Sequence, residues 1–238
     1  MRRRQFLIGA GRSALGLSTV SFTGCMAFPA RTGPTVREHQ SIDRGAATRA
    51  RVQVEMSAGE LEVKTGTAKL LEGDFEFNVP ELKPSLAYDV NGGTGTLKLS
   101  QGSVSGNYEN TWRLSLGDKT PLDLVVSLGA GDVELVIGHL NLERLSVSLG
   151  AGDLMLDLRG TPAKSYKVDV QAGAGDTRIE LPATVGISAG TTALIGDSSI
   201  SGLEKRNDRW INPKAEGSPV VIELDVRHAV GDLRISAG

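Results

Sequence analysis

The sequence contains few cysteine, histidine and aromatic residues. Among its 238 residues there are one cysteine and three histidines, and aromatic residues make up 4 % of the chain. A single cysteine excludes an internal disulfide framework, and the scattered histidines leave little for a zinc site. We therefore expect an aliphatic core that is held together without disulfides, metals or cofactors.

The chain also lacks an excess of charge of either sign. Lysine and arginine number 26 against 28 aspartate and glutamate residues, for a formal net charge of −2. Nucleic-acid-binding proteins carry a basic excess, so a nucleic-acid partner is not expected. The glycine-rich runs lead into strand patterns without a following Lys-Ser or Lys-Thr pair, which disfavours a nucleotide partner. Glycine itself is abundant, with 30 residues, and this predicts a chain that turns often between short strands.

Residues 1–24 have the layout of a cleavable export signal. The apolar stretch between 6 and 20 has 15 residues, whereas a membrane-spanning helix needs about 20. The start of the chain is similar to the twin-arginine signal pattern through Arg3, Arg4, Phe6 and Leu7. We therefore expect export, by the twin-arginine route or by general secretion.

The single cysteine, Cys25, follows a small-residue approach that resembles the lipobox of bacterial lipoproteins. The resemblance implies that Cys25 is lipidated and that the mature chain is anchored at a membrane, in the periplasm or on the cell surface. The alternative is a free thiol in a spacer. Residues 25–49 are expected to form the lipidated cysteine and a flexible tether, and residues 50–238 a folded β domain.

One unit is repeated along the chain. The motif Leu-Gly-Ala-Gly-Asp of 128–132 recurs at 149–153, and Ala-Gly-Ala-Gly-Asp follows at 172–176. Shorter Gly-Asp copies lie at 196–197 and 231–232, so the marked glycines are 21, 23, 21 and 35 residues apart. Fainter copies are visible upstream, around Gly59, Gly73 and Gly95.

On both sides of each Gly-Asp pair the apolar residues alternate with polar ones. Leu124, Val126 and Leu128 precede the first strong copy, and Val133 and Leu135 follow it in the same phase. A period of two predicts strands, and each unit therefore reads as strand, corner, strand. Repeats of about 21 residues favour an all-β, single-stranded β-solenoid of the β-helix kind. A β-sandwich of hairpins is the alternative.

These repeats resemble the toast-rack family of bacterial envelope proteins and, more distantly, the putative-adhesin group of β-solenoid domains. The resemblance covers about residues 50–238. It implies an extracytoplasmic, all-β, non-enzymatic domain linked to envelope stress and surface adhesion, without a defined ligand. Its partner would be an envelope protein or a cell-wall glycan.

Two sets of residues are candidate sites. The carboxylates Asp132, Asp153 and Asp176 would repel one another if the corners stack, unless backbone donors of an Asx-type corner satisfy them or a cation lies between them. The non-repetitive segment of 202–218 carries Arg206, Arg209 and Trp210, which could form a partner surface or pack over the last unit.

The sequence therefore predicts an exported, lipid-anchored protein that acts by binding, adhesion or scaffolding at the cell envelope. One context for this role is the response to envelope stress. No catalytic Ser-His-Asp set is indicated by spacing. The alternative is a carbohydrate-active enzyme with two facing carboxylates in a β-helical groove.

Overall fold

A computed structural model describes residues 32–238, and the described chain is all-β, as expected. It has two single-turn 3₁₀ helices, Pro80–Leu82 and Pro213–Ala215. The first ten strands are β1 Val36–Ile42, β2 Arg49–Ala58, β3 Glu60–Thr65, β4 Leu71–Phe77, β5 Ser85–Asn91, β6 Thr94–Ser100, β7 Asn110–Leu116, β8 Leu122–Ala130, β9 Val133–Val136 and β10 Leu142–Ala151. The others are β11 Leu154–Asp157, β12 Tyr166–Ala174, β13 Thr177–Leu181, β14 Gly186–Ile195, β15 Ser198–Ser201, β16 Glu204–Arg206, β17 Arg209–Ile211, β18 Val221–Val230 and β19 Leu233–Ala237.

The strands form two mixed sheets, neither of which closes. Sheet 1 has nine strands in the order β1-β4-β7-β3-β9-β11-β13-β19-β15. Sheet 2 has ten strands in the order β16-β17-β14-β18-β12-β10-β8-β2-β6-β5. Each repeated unit places one strand in sheet 2, turns at its Gly-Asp corner and places the next strand in sheet 1.

Equivalent residues of successive units lie side by side. Leu145 of β10 is in register with Leu124 of β8 on one side and with Val168 of β12 on the other. The pairing is parallel in both sheets, as in β11 between β9 and β13. The predicted inward phase is confirmed, because Leu124, Val126 and Leu128 are at most 3 % exposed. The apolar ladders of the repeats are therefore the core.

The order of the units in space differs from their order in sequence at both ends. At one end β6 and β7 lie outside β2 and β3, and at the other end β14 and β15 lie outside β18 and β19. At the second of these ends, the chain forms the outermost pair, β14 and β15, before it forms β18 and β19, which lie between that pair and β12 and β13. The long interval between Gly196 and Gly231 contains β16, β17 and the second 3₁₀ helix.

Antiparallel strands flank the parallel stack. At one end β4 and β1 extend sheet 1 and β5 extends sheet 2. At the other end β17 and β16 extend sheet 2. The expectation of a flexible tether through residue 49 is wrong for 36–42, since these residues form β1 and pair with β4 along its whole length. The half-buried positions of β1 alternate, but two of them are Glu38 and Gln40, so the sequence shows no apolar alternation there.

Within residues 32–238, the structure has no helix that is long and apolar enough to span a membrane.

Candidate functional site

The Gly-Asp corners form a column that runs across the stack. The corner glycines adopt nearly the same left-handed φ, between +120° and +124° at Gly131, Gly152, Gly175, Gly196 and Gly231. A Cβ on Gly152 would lie 2.0 Å from the carbonyl oxygen of Gly131 in the preceding unit. Both the φ and the close backbone approach require glycine, and the repeated motif is therefore a structural necessity of the corner.

The corner aspartates form a ladder of hydrogen bonds from one unit to the next. The carboxylate of Asp132 accepts the backbone N–H of Asp153 at 3.0 Å, and Asp153 accepts that of Asp176 at 2.8 Å. The ladder continues through Asp232, 3.0 Å from Asp176, to Asp197 at 3.3 Å. The carboxylates of Asp132, Asp153, Asp176 and Asp232 thus each satisfy a backbone donor and link two units.

This arrangement corrects one detail of the sequence-based expectation. The carboxylates are satisfied by backbone N–H groups, as anticipated, but the donor lies in the neighbouring unit and not in the same turn. Among residues 32–238, no group of three or more histidine, cysteine, aspartate or glutamate side chains is arranged to hold a metal ion. Asp132, Asp153 and Asp176 therefore act as inter-unit ties in the structure.

The outer face of sheet 1 forms an open groove of about 470 Å³ beside the aspartate ladder. We call it the sheet-1 groove. One end of it carries Glu62 and Glu134, with Arg113 beside Glu62, and the other end carries Arg178 and Arg234. Between them lies Met155, which is in register with Glu134 and Arg178 and is 37 % exposed. The groove thus offers an apolar centre between an acidic and a basic end.

Two acidic side chains beyond the groove are held as anions. Asp157 and Glu180 are each 8 % exposed and are in register on β11 and β13. The guanidinium of Arg159, 2.6 Å from the Asp157 carboxylate, lowers the pKa of Asp157. The Ser236 hydroxyl, which donates to Glu180, and then Arg178 at 2.7 Å lower the pKa of Glu180. Hydrogen bonds to the charged form outweigh the cost of burial at both carboxyls.

The predicted partner surface around Trp210 is largely occupied by contacts within the chain. Arg209 donates to the Ser188 hydroxyl at 2.6 Å, to the Ser188 carbonyl at 2.6 Å and to Asp225 at 2.9 Å. Arg206 is paired with Glu216 at 2.7 Å. Trp210 is half-buried against the core, and Lys205 lies 5.8 Å from the centre of its ring. Arg209 therefore fixes β17 to β14 and β18, and the segment acts first as a cover for the stack.

A buried polar pair lies near the corner column. His228 is 1 % exposed, and its Nδ1 is 3.2 Å from the hydroxyl of Thr177, which is also 1 % exposed. Within the described chain, the His228 Nε2 has no hydrogen-bond partner. His228 occupies the inward column of Leu128 and Leu149. Its pairing with Thr177 joins residues 51 positions apart, so the sequence gives no sign of it.

Trp112 is a core residue. It is fully buried and packs edge to face on Phe75, with ring centres 5.4 Å apart. The predicted export signal and the predicted lipidation site, Arg3, Arg4, Phe6, Leu7 and Cys25, lie outside the described residues.

The carboxylates of the ladder lie side by side at the corners that precede adjacent strands of sheet 1. They do not face each other across a cleft, which is the arrangement that the carbohydrate-active alternative requires. The candidate site therefore consists of a row of aspartate-to-backbone hydrogen bonds and, beside it, a groove with both acidic and basic side chains.

The chain belongs to a known family. The model of the N-terminal domain of toast_rack, DUF2154, matches residues 31–180. This confirms the family resemblance of the repeats and includes β1, which lies before the expected start of the domain.

A solved structure with the same fold is that of a "putative cell adhesion protein" from Clostridium sporogenes. It is 25 % identical, with a TM-score of 0.80 over 86 % of this chain and 100 % of the other. A "putative adhesin" from Bacteroides fragilis, 15 % identical over 84 % of this chain and 96 % of the other, has a TM-score of only 0.34. No curated protein matches the sequence.

Proposed function

We propose that this protein is exported, is held at a membrane of the cell envelope by lipid on Cys25, and acts there as a non-enzymatic binding or adhesion module. The observation that carries the proposal is the likeness to the Clostridium sporogenes structure, which is covered over its whole length. Membership of the toast-rack family supports it. The arrangement of the surface, in which the ladder carboxylates are engaged by backbone donors, supports binding over catalysis.

We further propose that the six strand-corner-strand units, together with β6 and β7, form a two-sheet solenoid. The parallel register of equivalent residues supports this, since Val147 pairs with Val126 and Val170 in the same phase. A sandwich of hairpins would pair successive strands of the chain antiparallel. The solenoid presents a long, flat, regularly spaced surface on each sheet, which suits binding to an extended partner such as a glycan strand or an envelope protein.

The sheet-1 groove is the part of this surface that we propose contacts the partner. Its exposed Met155 provides apolar contact, and Arg178 and Arg234 at one end provide donors for carboxylate or hydroxyl oxygens. Arg234 is in turn oriented by Asp232 at 2.7 Å. At the opposite end Glu134 favours cationic groups, whereas Glu62 is already paired with Lys64 and Arg113.

The anchor is tested with the Cys25→Ser variant in intact cells. The wild-type protein should sediment with membranes, and the variant should be released or mislocalised, because acylation supplies about 0.8 kcal/mol per buried methylene. Lys167→Ser, a change on an exposed strand position, is the matched control and should stay with the membranes. Unchanged membrane fractionation of Cys25→Ser would contradict the anchor.

Binding is tested by retention of the protein on peptidoglycan and on envelope polysaccharide, together with crosslinking of envelope proteins in the same cells. The double variant Met155→Lys/Arg178→Glu should lower retention about tenfold or more. A matched change on the other sheet, Gln53→Lys/Lys167→Glu, should leave it unchanged. Equal retention of both double variants would exclude the groove as the contact surface.

A further inference from the structure

One end of the stack has an open strand edge. β15 is the last strand of sheet 1 and pairs with β19 on its inner side. β17 covers β14 only at Ser188 and Ala189. In the described chain, residues 191–195 and 198–201 therefore present backbone groups that have no strand on their outer side.

This edge differs from the other three sheet ends in charge. Charged side chains on an edge strand discourage pairing with another chain. The outer strands β1, β5 and β16 all carry such residues, namely Arg37 and Glu38, Asp89, and Glu204 to Arg206. Residues 186–202 contain one charged residue, Asp197.

Large apolar side chains are exposed on the same edge. Leu194 is 72 % exposed and Ile195 is 65 % exposed, the two highest values among the large apolar residues of the described chain. The equivalent positions in inner units are Gly173 and Ala174, opposite Ala229 and Val230. The end unit thus carries larger apolar side chains than the inner unit, at a place that no strand of residues 32–238 covers.

We propose that a second copy of this chain pairs with this edge about a two-fold axis through the Gly196–Asp197 corner. The edge consists of two free strands of similar length that meet at that corner. A two-fold axis through the corner, in the plane of the interface, places 191–195 of one copy against 198–201 of the other. The strands then run antiparallel, because one runs toward the corner and the other away from it, and both arms of the edge are filled at once.

The register of this pairing agrees with the side-chain phase. An axis between Gly196 and Asp197 brings Ala193 opposite the partner's Ile200, and Leu194 opposite the partner's Ser199. Ala193 is in register with the buried His228, and Ile200 with the buried Ile235, so both face the core side. Leu194 and Ser199 both face outward. A shift by one residue would oppose inward to outward positions.

The hydrogen bonds that link one corner to the next also end at the Gly196–Asp197 corner. The backbone N–H of Gly231 donates to Ile195 at 3.0 Å, and the carboxylate of Asp232 accepts from Asp197. Gly196 and Asp197 occupy the same places in the last unit. In the described chain, the outward N–H of Gly196 and the carboxylate of Asp197 have no further unit to meet. The second copy lies where a further unit would lie, with its strands antiparallel to this edge.

The dimer is tested by sedimentation of the full chain carrying Cys25→Ser, which removes the single thiol. Each arm is about 16 Å long at the rise of a strand, so we expect a modest interface and a dissociation constant in the range of about 1 to 100 µM. The double variant Leu194→Lys/Ser199→Lys should be monomeric up to about 300 µM. The same charge on the opposite end of the stack, Ser85→Lys, should leave the dimer unchanged.

The position of the axis is tested by Asp197→Asn. The two Asp197 side chains lie beside the axis, and removal of this like-charge pair should tighten the dimer about two- to fivefold. In addition, Leu194→Cys/Ser199→Cys in the Cys25→Ser chain should give a covalent dimer on oxidation, because these two positions oppose each other across the axis.

Three results would overturn the proposal. The first is a monomer at every concentration, which would leave this edge for a strand of a different protein. The second is a dimer that Ser85→Lys abolishes and Leu194→Lys/Ser199→Lys does not. The third is a dimer that Asp197→Asn leaves unchanged or weakens, which would place the axis elsewhere.

Discussion

The Cβ that an alanine would add at Gly152 would lie 2.0 Å from the carbonyl oxygen of Gly131. The same relation is repeated up the stack, with 2.1 Å between Gly175 and Gly152 and 1.9 Å between Gly196 and Gly231. Successive corners are therefore in direct backbone contact. The contact fixes the spacing of the units and explains why glycine recurs at this place in every copy.

Gly152→Ala should destabilise the domain strongly. The substitution combines a φ of +124° with a clash against backbone that has no room to move, and we expect a loss of about 3 kcal/mol or more in the free energy of unfolding. Thermal unfolding should show a fall in Tm of about 6 to 12 °C. Gly45→Ala is the control, since Gly45 also has a positive φ but meets nothing within 4 Å, and it should cost about 1 to 2 kcal/mol. Equal losses at the two positions would contradict the role of corner contact.

Asp153→Ala should loosen one tie of the ladder. The Asp176 N–H loses its acceptor, which we expect to cost about 1 kcal/mol in denaturant unfolding. Asp153→Asn keeps an acceptor oxygen and should cost less. Asp89→Ala, on the exposed strand β5, should lie within about 0.5 kcal/mol of wild type. Addition of Ca²⁺ should leave the Tm unchanged, and a large rise would show that the carboxylates bind a cation instead.

The pair of Thr177 and His228 should show strong coupling in a double-mutant cycle. Thr177→Val leaves the buried His228 Nδ1 without its partner and should cost about 1 to 3 kcal/mol. The double variant Thr177→Val/His228→Leu makes both positions apolar, as Leu149 and Leu154 are in the corresponding places of an inner unit. Its stability should equal or exceed that of wild type. A double variant as unstable as Thr177→Val would refute the pairing.

Acid should weaken the domain through Asp157 and Glu180. The pKa of each is lowered in the folded chain, by Arg159 and by the Ser236 hydroxyl with Arg178, respectively. A lowered folded-state pKa contributes stability that is present above the unfolded value of about 4 and is lost as the pH falls through the folded value. The free energy of unfolding should therefore decline from about pH 5 downward.

The matched variants separate this effect from general acid unfolding. Asp157→Asn and Glu180→Gln should each lower stability at pH 7 and flatten the decline below about pH 5. Glu223→Gln, at an exposed carboxylate on sheet 2, should leave the pH profile unchanged. Profiles of all three variants that are parallel to wild type would show that the two carboxyls carry no such linkage.

The repeat pattern predicted the class of fold and the core because both depend on local alternation. Leu124 and Leu145 each lie four residues before the leucine that opens the Leu-Gly-Ala-Gly-Asp motif, and both are fully buried, so one copy of the unit predicts the next. The order of the units could not be read in this way. β14 lies outside β18 in sheet 2, although it precedes β18 in the chain. Both strands are followed by the same Gly-Asp corner, so the motif does not indicate which of them is outermost.

The antiparallel end strands were missed for a related reason. Gly73 reads as a corner copy, but it lies within β4, which pairs antiparallel to β7. Its glycine is required by the ring of Phe75, which would lie 2.6 Å from an added Cβ. Likewise the ties of the aspartate ladder join residues about 21 positions apart, and a local turn motif gives no sign of them.

The central claim is that the protein binds a partner in the cell envelope through the sheet-1 groove, and photo-crosslinking in intact cells tests it most directly. A photoreactive residue at Met155 should yield one discrete adduct with an envelope protein or a glycan. The same residue at Lys167, on the outer face of sheet 2, should not yield it. If both positions give the same diffuse adducts, or if neither gives a discrete one, the groove is not a binding surface.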